Sequence, residues 1–337
     1  MKVTTTPFNK LLYISPGGIG NLVMAIPALR AIRAAQPRVA ITLLTAESGV
    51  HRILDHEGLI DDVLLLERKA AALWTLVKEI RGRKFAAALT AGTVNPLSAG
   101  ALMLAGGIPV RVGESIGGQG FLYTVKVPYA DRCHERDGAL NIIEALGIEP
   151  VSLWPDLRFT PEEKRAAEVF LISHGWQPGQ DLVGMHPGSS VNGAVPKRWP
   201  KENFVDVIRQ YHQQKVKVLL VTGPAELALG KEIEAAAGGP LINTQAELSL
   251  RETAAAIEYC RVFLSNDSGI AHVTAAVGTP LVVLFGPTDP ARVAPKGKQV
   301  IVLQTLRSGP VDSIMVRPVV DALNVFFHPQ NGTGGSG

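Results

Sequence analysis

The sequence predicts an α/β protein built from two doubly wound, Rossmann-like α/β/α domains. Three observations carry that expectation. Short β-branched runs alternate with helical patterns along the whole chain, which is the signature of parallel-sheet units. The 337 residues exceed what a single core comfortably organises. A proline-punctuated stretch, GIEPVSLWPDLRFTPEEKRAA, breaks the alternation near its middle.

In the first half, KLLYIS reads as a strand and NLVMAIPALRAIRAAQ as a helix. VAITLLT, a helix near Ser48 to His56, DDVLLLE, a helix through LWTLVKEIRG, and FAAALTAG follow. The right-handed crossover rule makes this series a doubly wound sheet whose loops at the strand carboxyl ends line a crevice. Pro150, Pro155 and Pro161 mark the break, and Thr160-Pro161-Glu162-Glu163 reads as an N-cap with proline at the first helical position. The expected domains are therefore residues 1–155 and 156–315. In the second, strands are read in DLVGMHPGS, VKVLLVTG, PLINT, RVFLSND and PLVVLFGP. Helices are read between them in FVDVIRQYHQ, AELALGKEIEAAAG, SLRETAAAIEYC and GIAHVTAAVG. Two such halves in tandem suggest a cleft between them that holds a substrate. Residues 331–337, NGTGGSG, read as a linker or tag remnant.

Composition narrows the function classes. Hydrophobic residues make up 46% of the chain and charged residues 19%, a balance that argues against disorder. A net charge of +3 gives no support for nucleic-acid binding as the main activity, although local basic patches could meet anionic substrates. Cys133 and Cys260 lie far apart in no metal-ligand spacing, so they read as small apolar residues in a reducing cytoplasm. The amino terminus lacks a signal-peptide pattern, and LSAGALMLAGGIPV is too short and glycine-rich to span a bilayer. Membrane contact, if made, would be peripheral.

Three loops could carry chemistry. Gly17-Gly18-Ile19-Gly20 lets backbone amides approach a ligand at a helix start. It is a poor dinucleotide fingerprint, because Val23 stands where the third glycine or alanine belongs. A tight turn without a ligand explains the same residues. The second loop is MHPGSSVNGAVPKRWPKENF. There Ser189 and Ser190 can donate hydrogen bonds, and Lys197 and Arg198 can bring cations to a pyrophosphate just before Trp199-Pro200 opens a helix. The third is NDSGIAHVTAAVGTPLVVLFGPTDP. Asp267, Ser268 and Gly269 stand at a positive helix end, and His272 follows one turn later. Thr288 and Asp289 end the next strand, so the two loops form a convergent polar site. For Asp267 alone, a capping role is the plainer reading.

These motifs, with GGIGNLVMAIPALRAI upstream, resemble glycosyltransferase family 9, the ADP-heptose:lipopolysaccharide heptosyltransferases and their relatives. The likeness spans nearly all of residues 10–325. It implies a GT-B fold, with an N-terminal acceptor domain and a C-terminal nucleotide-sugar domain facing each other across a cleft. A closing helix, residues 316–328, is implied to pack back toward the first domain. By position, Ser268, Gly269 and His272 would contact the donor diphosphate. Asp267 would shape that loop or bind the donor sugar, with Thr288 and Asp289 beside it. Lys197 would neutralise leaving-group charge, Ser189 and Ser190 would line the pocket, and Glu226 would hold the ribose. Gly18, Gly20 and Arg111 fall on the acceptor side, and Arg111 and Gly113 of IPVRVGE equally suit a strand edge and a turn. The implied partners are a nucleotide-diphosphate sugar and a glycan, protein or lipid-linked acceptor, with no metal or other cofactor required. The implied setting is the cytoplasm, with peripheral contact at the inner membrane.

The sequence departs from the family at one place. The usual residue after the glycine turn is aspartate, the expected base, whereas this chain carries Asn21. An amide cannot accept the acceptor's proton at neutral pH. Three accounts stay open: an inactivating substitution, another base such as Glu114 or His186, or a chain that binds a nucleotide sugar without transferring it. A nucleotide-sugar epimerase of similar fold is a further enzyme reading.

Overall fold

Apolar runs without polar alternation become strands covered on both faces, as parallel sheets require. The computed structural model describes residues 8–67, 69–90, 94–129, 133–189, 197–306 and 309–327. The first unit contains β1 (Lys10–Ile14), α1 (Ile19–Ala35), β2 (Ala40–Thr45), β3 (Asp62–Leu65) and α2 (Ala70–Arg83). It continues with β4 (Ala87–Thr90), α3 (Pro96–Ala105), β5 (Val110–Ser115), β6 (Val125–Pro128) and α4 (Glu135–Glu144). Its strands pair in parallel in the order β3-β2-β1-β4-β5-β6. Leu11, Leu12, Tyr13 and Ile14 are all buried, as are Ala87 to Thr90.

The second unit runs through α5 (Pro161–Ser173), β7 (Leu182–His186), α6 (Lys201–Gln213), β8 (Lys217–Leu220) and α7 (Leu227–Ala237). Next come β9 (Ile242–Asn243), α8 (Leu250–Glu258), β10 (Val262–Asn266), α9 (Gly269–Ala276) and β11 (Leu281–Phe285). The short α10 (Pro290–Val293), β12 (Val300–Gln304) and α11 (Val316–Phe327) close the chain's described elements. The sheet order is β12-β11-β10-β7-β8-β9, again all parallel. Both sheets thus wind outward in two directions from a pair of central strands, β1 with β4 and β7 with β10. Ligands of such sheets bind at the carboxyl ends of that pair.

The units divide between Asp156 and Leu157, and Ala291–Val293 groups with the first. The α5 start follows the sequence pattern closely: the Thr160 hydroxyl accepts from Glu163 N at 3.2 Å, and Glu163 Oε2 accepts from Thr160 N at 2.8 Å. The same Glu163 pairs with the buried Arg251 of α8 at 2.5 Å.

Elsewhere the structure departs from the sequence expectation. The helix expected from Ser48 to His56 is a single 3₁₀ segment, Val50–Leu54, entered through Gly49 at φ 84°. Strand β5 was met only as a strand edge at Arg111, and β6 and β12 escaped the sequence reading. Glycine or charge interrupts the apolar pattern of the first two, and β12 lies beyond the last strand expected. The closing helix α11 belongs to the second unit, where Val319, Val320, Ala322 and Leu323 join the core around Trp199 and Phe204. Its described packing is against β10, β11 and α6. No helix among the described residues is long and apolar enough to cross a membrane.

Candidate functional site

In the second unit, the central strands β7 and β10 end side by side in the two polar loops. β7 delivers His186, Pro187, Gly188 and Ser189, and β10 delivers Asn266, Asp267 and Ser268. Asn266 is fully buried and clamps three backbone groups. Its Oδ1 accepts from Trp199 N at 3.0 Å, and its Nδ2 donates to Pro187 O at 2.9 Å and Gly188 O at 3.3 Å. Trp199 is itself anchored by an indole N–H donated to Ile314 O at 2.7 Å. One amide therefore holds the β7 loop, the β10 loop and the entry to α6 in register.

On that frame the polar side chains converge. Ser189 Oγ donates to Asp267 O at 2.7 Å, and Lys197 Nζ reaches Asp267 Oδ2 at 2.9 Å. Arg198 Nε donates to Ser189 O at 3.0 Å, and its Nη2 stands 3.6 Å from Glu226 Oε1. Glu226 Oε2 also accepts from Gly223 N at 3.2 Å. Ser189, Lys197, Glu226 and Asp267, proposed from sequence, thus join one network, with Arg198 as its link. Ser190 lies outside the described residues.

The α9 amino end borders this network. Ser268, rather than Asp267, is its N-cap: the Ser268 hydroxyl accepts from Ala271 N at 3.3 Å and lies 3.0 Å from Ser265 Oγ. Asp267 is thereby released from the capping duty that sequence suggested, and its carboxylate faces Lys197. Gly269 and Ile270 supply first-turn amides that have no partner within the helix, at the end where the dipole favours an anion. His272 sits in the first turn and a half of α9, 6% exposed. Thr288 and Asp289 follow β11, the neighbouring strand, one step further along the sheet edge.

His186 belongs to the same frame. Its Nδ1 lies 2.9 Å from Val221 O, which makes Nδ1 the protonated nitrogen of the neutral ring. Burial pushes its pKa below the usual imidazole value. A Cβ on Gly188 would stand 2.7 Å from the ring and 2.9 Å from Glu226 Cγ, so this turn accepts only glycine without displacement.

In the first unit the corresponding position is the glycine turn after β1. Helix α1 begins at Ile19 with Gly18 as its N-cap, so Gly20 and Asn21 lie inside the first turn; Asn21 does not open the helix as expected. The Asn21 amide folds back on Gly17, where a Cβ would meet Asn21 Cγ and Oδ1 at 2.6 Å. At Gly18 the neighbour is Glu47, whose Oε2 and Oε1 would stand 3.1 and 3.4 Å from a Cβ.

Arg111 is fastened within its unit: Nε donates to Leu122 O at 2.8 Å and Nη1 to Ile108 O at 2.7 Å. That arrangement braces β5 and leaves little of the guanidinium for an acceptor. Gly113 is required by packing, since a Cβ would meet Tyr123 Cζ at 2.5 Å and Thr90 Oγ1 at 2.9 Å. Glu114, next along β5, is 8% exposed, with its Oε1 2.9 Å from a Cβ on Gly138. Burial, and then the nearby Glu135 carboxylate, raise its pKa above the usual carboxylate range, with Arg292 opposing them. Cys260 is buried, and burial pushes its thiol far up; Cys133 is raised by the same cause. Neither has the lowered pKa of a nucleophile. Among the described residues, no group of three or more His, Cys, Asp or Glu side chains could hold a metal ion.

The model of glycosyltransferase family 9 (heptosyltransferase) matches residues 73–312. Lipopolysaccharide heptosyltransferase 2 of Escherichia coli K12 is 24% identical over 319 residues, 88% of this chain and 88% of that protein. Its namesake in Salmonella typhimurium LT2 is 28% identical over 158 residues, a match that spans 46% of this chain and only 44% of the relative. Among solved structures, that of E. coli ADP-heptose lps heptosyltransferase II superposes with a TM-score of 0.78 at 22% identity. The superposition covers 95% of this chain and 99% of that one.

Proposed function

The chain belongs to glycosyltransferase family 9, the heptosyltransferase family, and its α/β units are those of the GT-B fold. From that premise we propose that it moves a heptose or related sugar, with inversion, from ADP-heptose to a lipopolysaccharide-core or other glycan or protein acceptor. The observation that carries the proposal is the Lys197–Asp267 pair at the mouth of the β7/β10 switch, beside the amino end of α9. A diphosphate seated there meets first-turn amides and an ammonium, the groups that stabilise negative charge as a leaving group departs.

In this reading Ser268, Gly269 and His272 hold the diphosphate, and Lys197 neutralises the charge on the departing nucleoside diphosphate. Asp267 turns to the sugar once its lysine is engaged, with Thr288 and Asp289 nearby. Ser189 and Ser190 line the pocket, and Glu226 accepts from the ribose hydroxyls. Gly18 and Gly20 belong to the acceptor side. Leaving-group stabilisation is assigned wholly to protein groups, so no cofactor enters the proposal. The reaction belongs in the cytoplasm, with peripheral contact at the inner membrane when the acceptor is lipid-linked.

Calorimetry with ADP and turnover of ADP-heptose against a panel of core oligosaccharides test the reading. Lys197→Ala should weaken ADP binding by roughly 10- to 100-fold, the scale of one lost charge-assisted hydrogen bond. His272→Ala should lower turnover. Unchanged binding and rates in both variants would sink the site assignment. Asn21 favours a second reading, a protein that binds the nucleotide sugar without transferring it. ADP binding with no turnover of any acceptor, and none gained in Asn21→Asp, would select it.

A further inference from the structure

The amide at Asn21 leaves the transfer reading without a base at the expected position, and the first unit holds a carboxylate against the same glycine turn. β2 ends next to β1 in the parallel sheet, so the loop after β2 comes to the glycine turn. Glu47 in that loop is exposed, and both its carboxylate oxygens lie against Gly18. A Cβ at Gly18 would stand 3.1 Å from Oε2, so a side chain there would push the carboxylate back by a few tenths of an ångström. Asn21 packs on Gly17 of the same turn. The α1 amino end has no acidic residue in its first turn and no side-chain cap. The Glu47 carboxylate therefore supplies the negative charge that this helix end favours. Among the described residues, no hydrogen bond or ion pair engages its oxygens.

The two carboxyl or imidazole groups suggested from sequence are worse placed. Glu114 is buried against Gly138 of α4, and His186 is buried with its Nδ1 committed to Val221 O. A base must reach the hydroxyl it deprotonates, and geometry comes before pKa in choosing one.

We propose that Glu47 is the general base of this chain, with Asn21 orienting the acceptor hydroxyl. The inference rests on the transfer reading above. In the step, the acceptor O–H bond breaks and its proton passes to a Glu47 carboxylate oxygen. The electron pair of that bond forms the new bond to the anomeric carbon. The bond from the anomeric carbon to the diphosphate oxygen breaks, and its pair leaves with the nucleoside diphosphate. Glu47 returns the proton to solvent.

The test uses the full chain with ADP-heptose and a panel of lipopolysaccharide-core oligosaccharides, following ADP release and, separately, ADP affinity. Glu47→Gln should lower kcat by about 10²- to 10⁴-fold, the usual contribution of a general base, with ADP affinity unchanged. Adding Asn21→Asp to Glu47→Gln should restore turnover, which loss of a merely structural carboxylate would not allow. Wild-type turnover that Glu47→Gln leaves intact, or a double variant that recovers nothing, overturns the base assignment alone. A wild-type chain that binds ADP but turns over no acceptor fails the transfer reading, and the base assignment falls with it.

Discussion

Replacing Asn266 by alanine removes one acceptor and two donor interactions from a fully buried site. The Trp199 N–H is left without its partner, at a cost of about 1–3 kcal/mol for a buried unsatisfied donor. The Pro187 and Gly188 carbonyls each lose one bond, worth about 0.5–1.5 kcal/mol, and the longer Gly188 contact belongs at the low end. Together the second unit should lose roughly 2–5 kcal/mol, a large part of a typical domain's stability of about 5–15 kcal/mol. With a urea m value of about 2 kcal/mol/M, its unfolding midpoint should fall by roughly 1–2.5 M. Urea titration of the full chain, followed by tryptophan fluorescence, reads the shift, because Trp176 and Trp199 both lie in this unit. ADP affinity should fall as well, since the clamp positions the loops that carry Ser189, Lys197 and Asp267. A small midpoint shift together with unaltered ADP affinity would refute the clamp.

Gly184→Ala should destabilise the same unit by about 1–3 kcal/mol, the usual effect of overpacking, because a Cβ there would collide with the Phe263 ring and stand 2.8 Å from Cys260 Sγ; denaturant unfolding measures it. His186 is held neutral by burial, with its folded pKa below the ordinary value of 6.5. The unfolded chain therefore takes up a proton first as pH falls, so stability is full above that value and declines below it until the folded pKa is reached. His186→Gln should flatten the decline of stability as pH falls below 6.5. Glu114 has the opposite linkage, since burial raises its folded pKa above the ordinary value of 4.5. The unfolded carboxyl ionises first, so stability is lost as pH rises from that value toward the folded pKa. Glu114→Gln should stabilise the first unit at pH 7 and not at pH 4, and should leave turnover in place; a loss of turnover would make Glu114 the base instead of Glu47.

Local signals were legible where the partners are neighbours in sequence. The Thr160 cap could be read because a threonine directly before Pro161 marks a helix start, and the structure adds Glu163, three residues on, as its partner. The strands ending in His186 and Asn266 were marked by unbroken apolar runs. What failed was long-range. Asn266 stood in a quoted motif without a role, because its partners lie 67 and 79 residues away; a buried polar residue ending an apolar strand was the one available hint. Ser268 took the cap that Asp267 was expected to fill, and a choice between adjacent polar residues depends on a backbone turn that sequence does not specify. Glu47 gave no signal at all. Its loop has ordinary composition, and only the pairing of β1 with β2 brings it to Gly18.

The ion pair between Lys197 and Asp267 also sets a threshold for entry. An ammonium already 2.9 Å from a carboxylate is captured only by a ligand that competes with that carboxylate. A nucleoside offers no charge to do so, and a monophosphate offers less than a diphosphate. On the proposed donor site, ligands would therefore rank by phosphate count before any contact to the base is made. In the proposed exchange the carboxylate that loses its lysine would become an acceptor for hydroxyl groups at the moment the diphosphate arrives. Under the proposed donor assignment, recognition of the anion and of the sugar would be a single event, and a nucleotide without its sugar would leave Asp267 unsatisfied beside it.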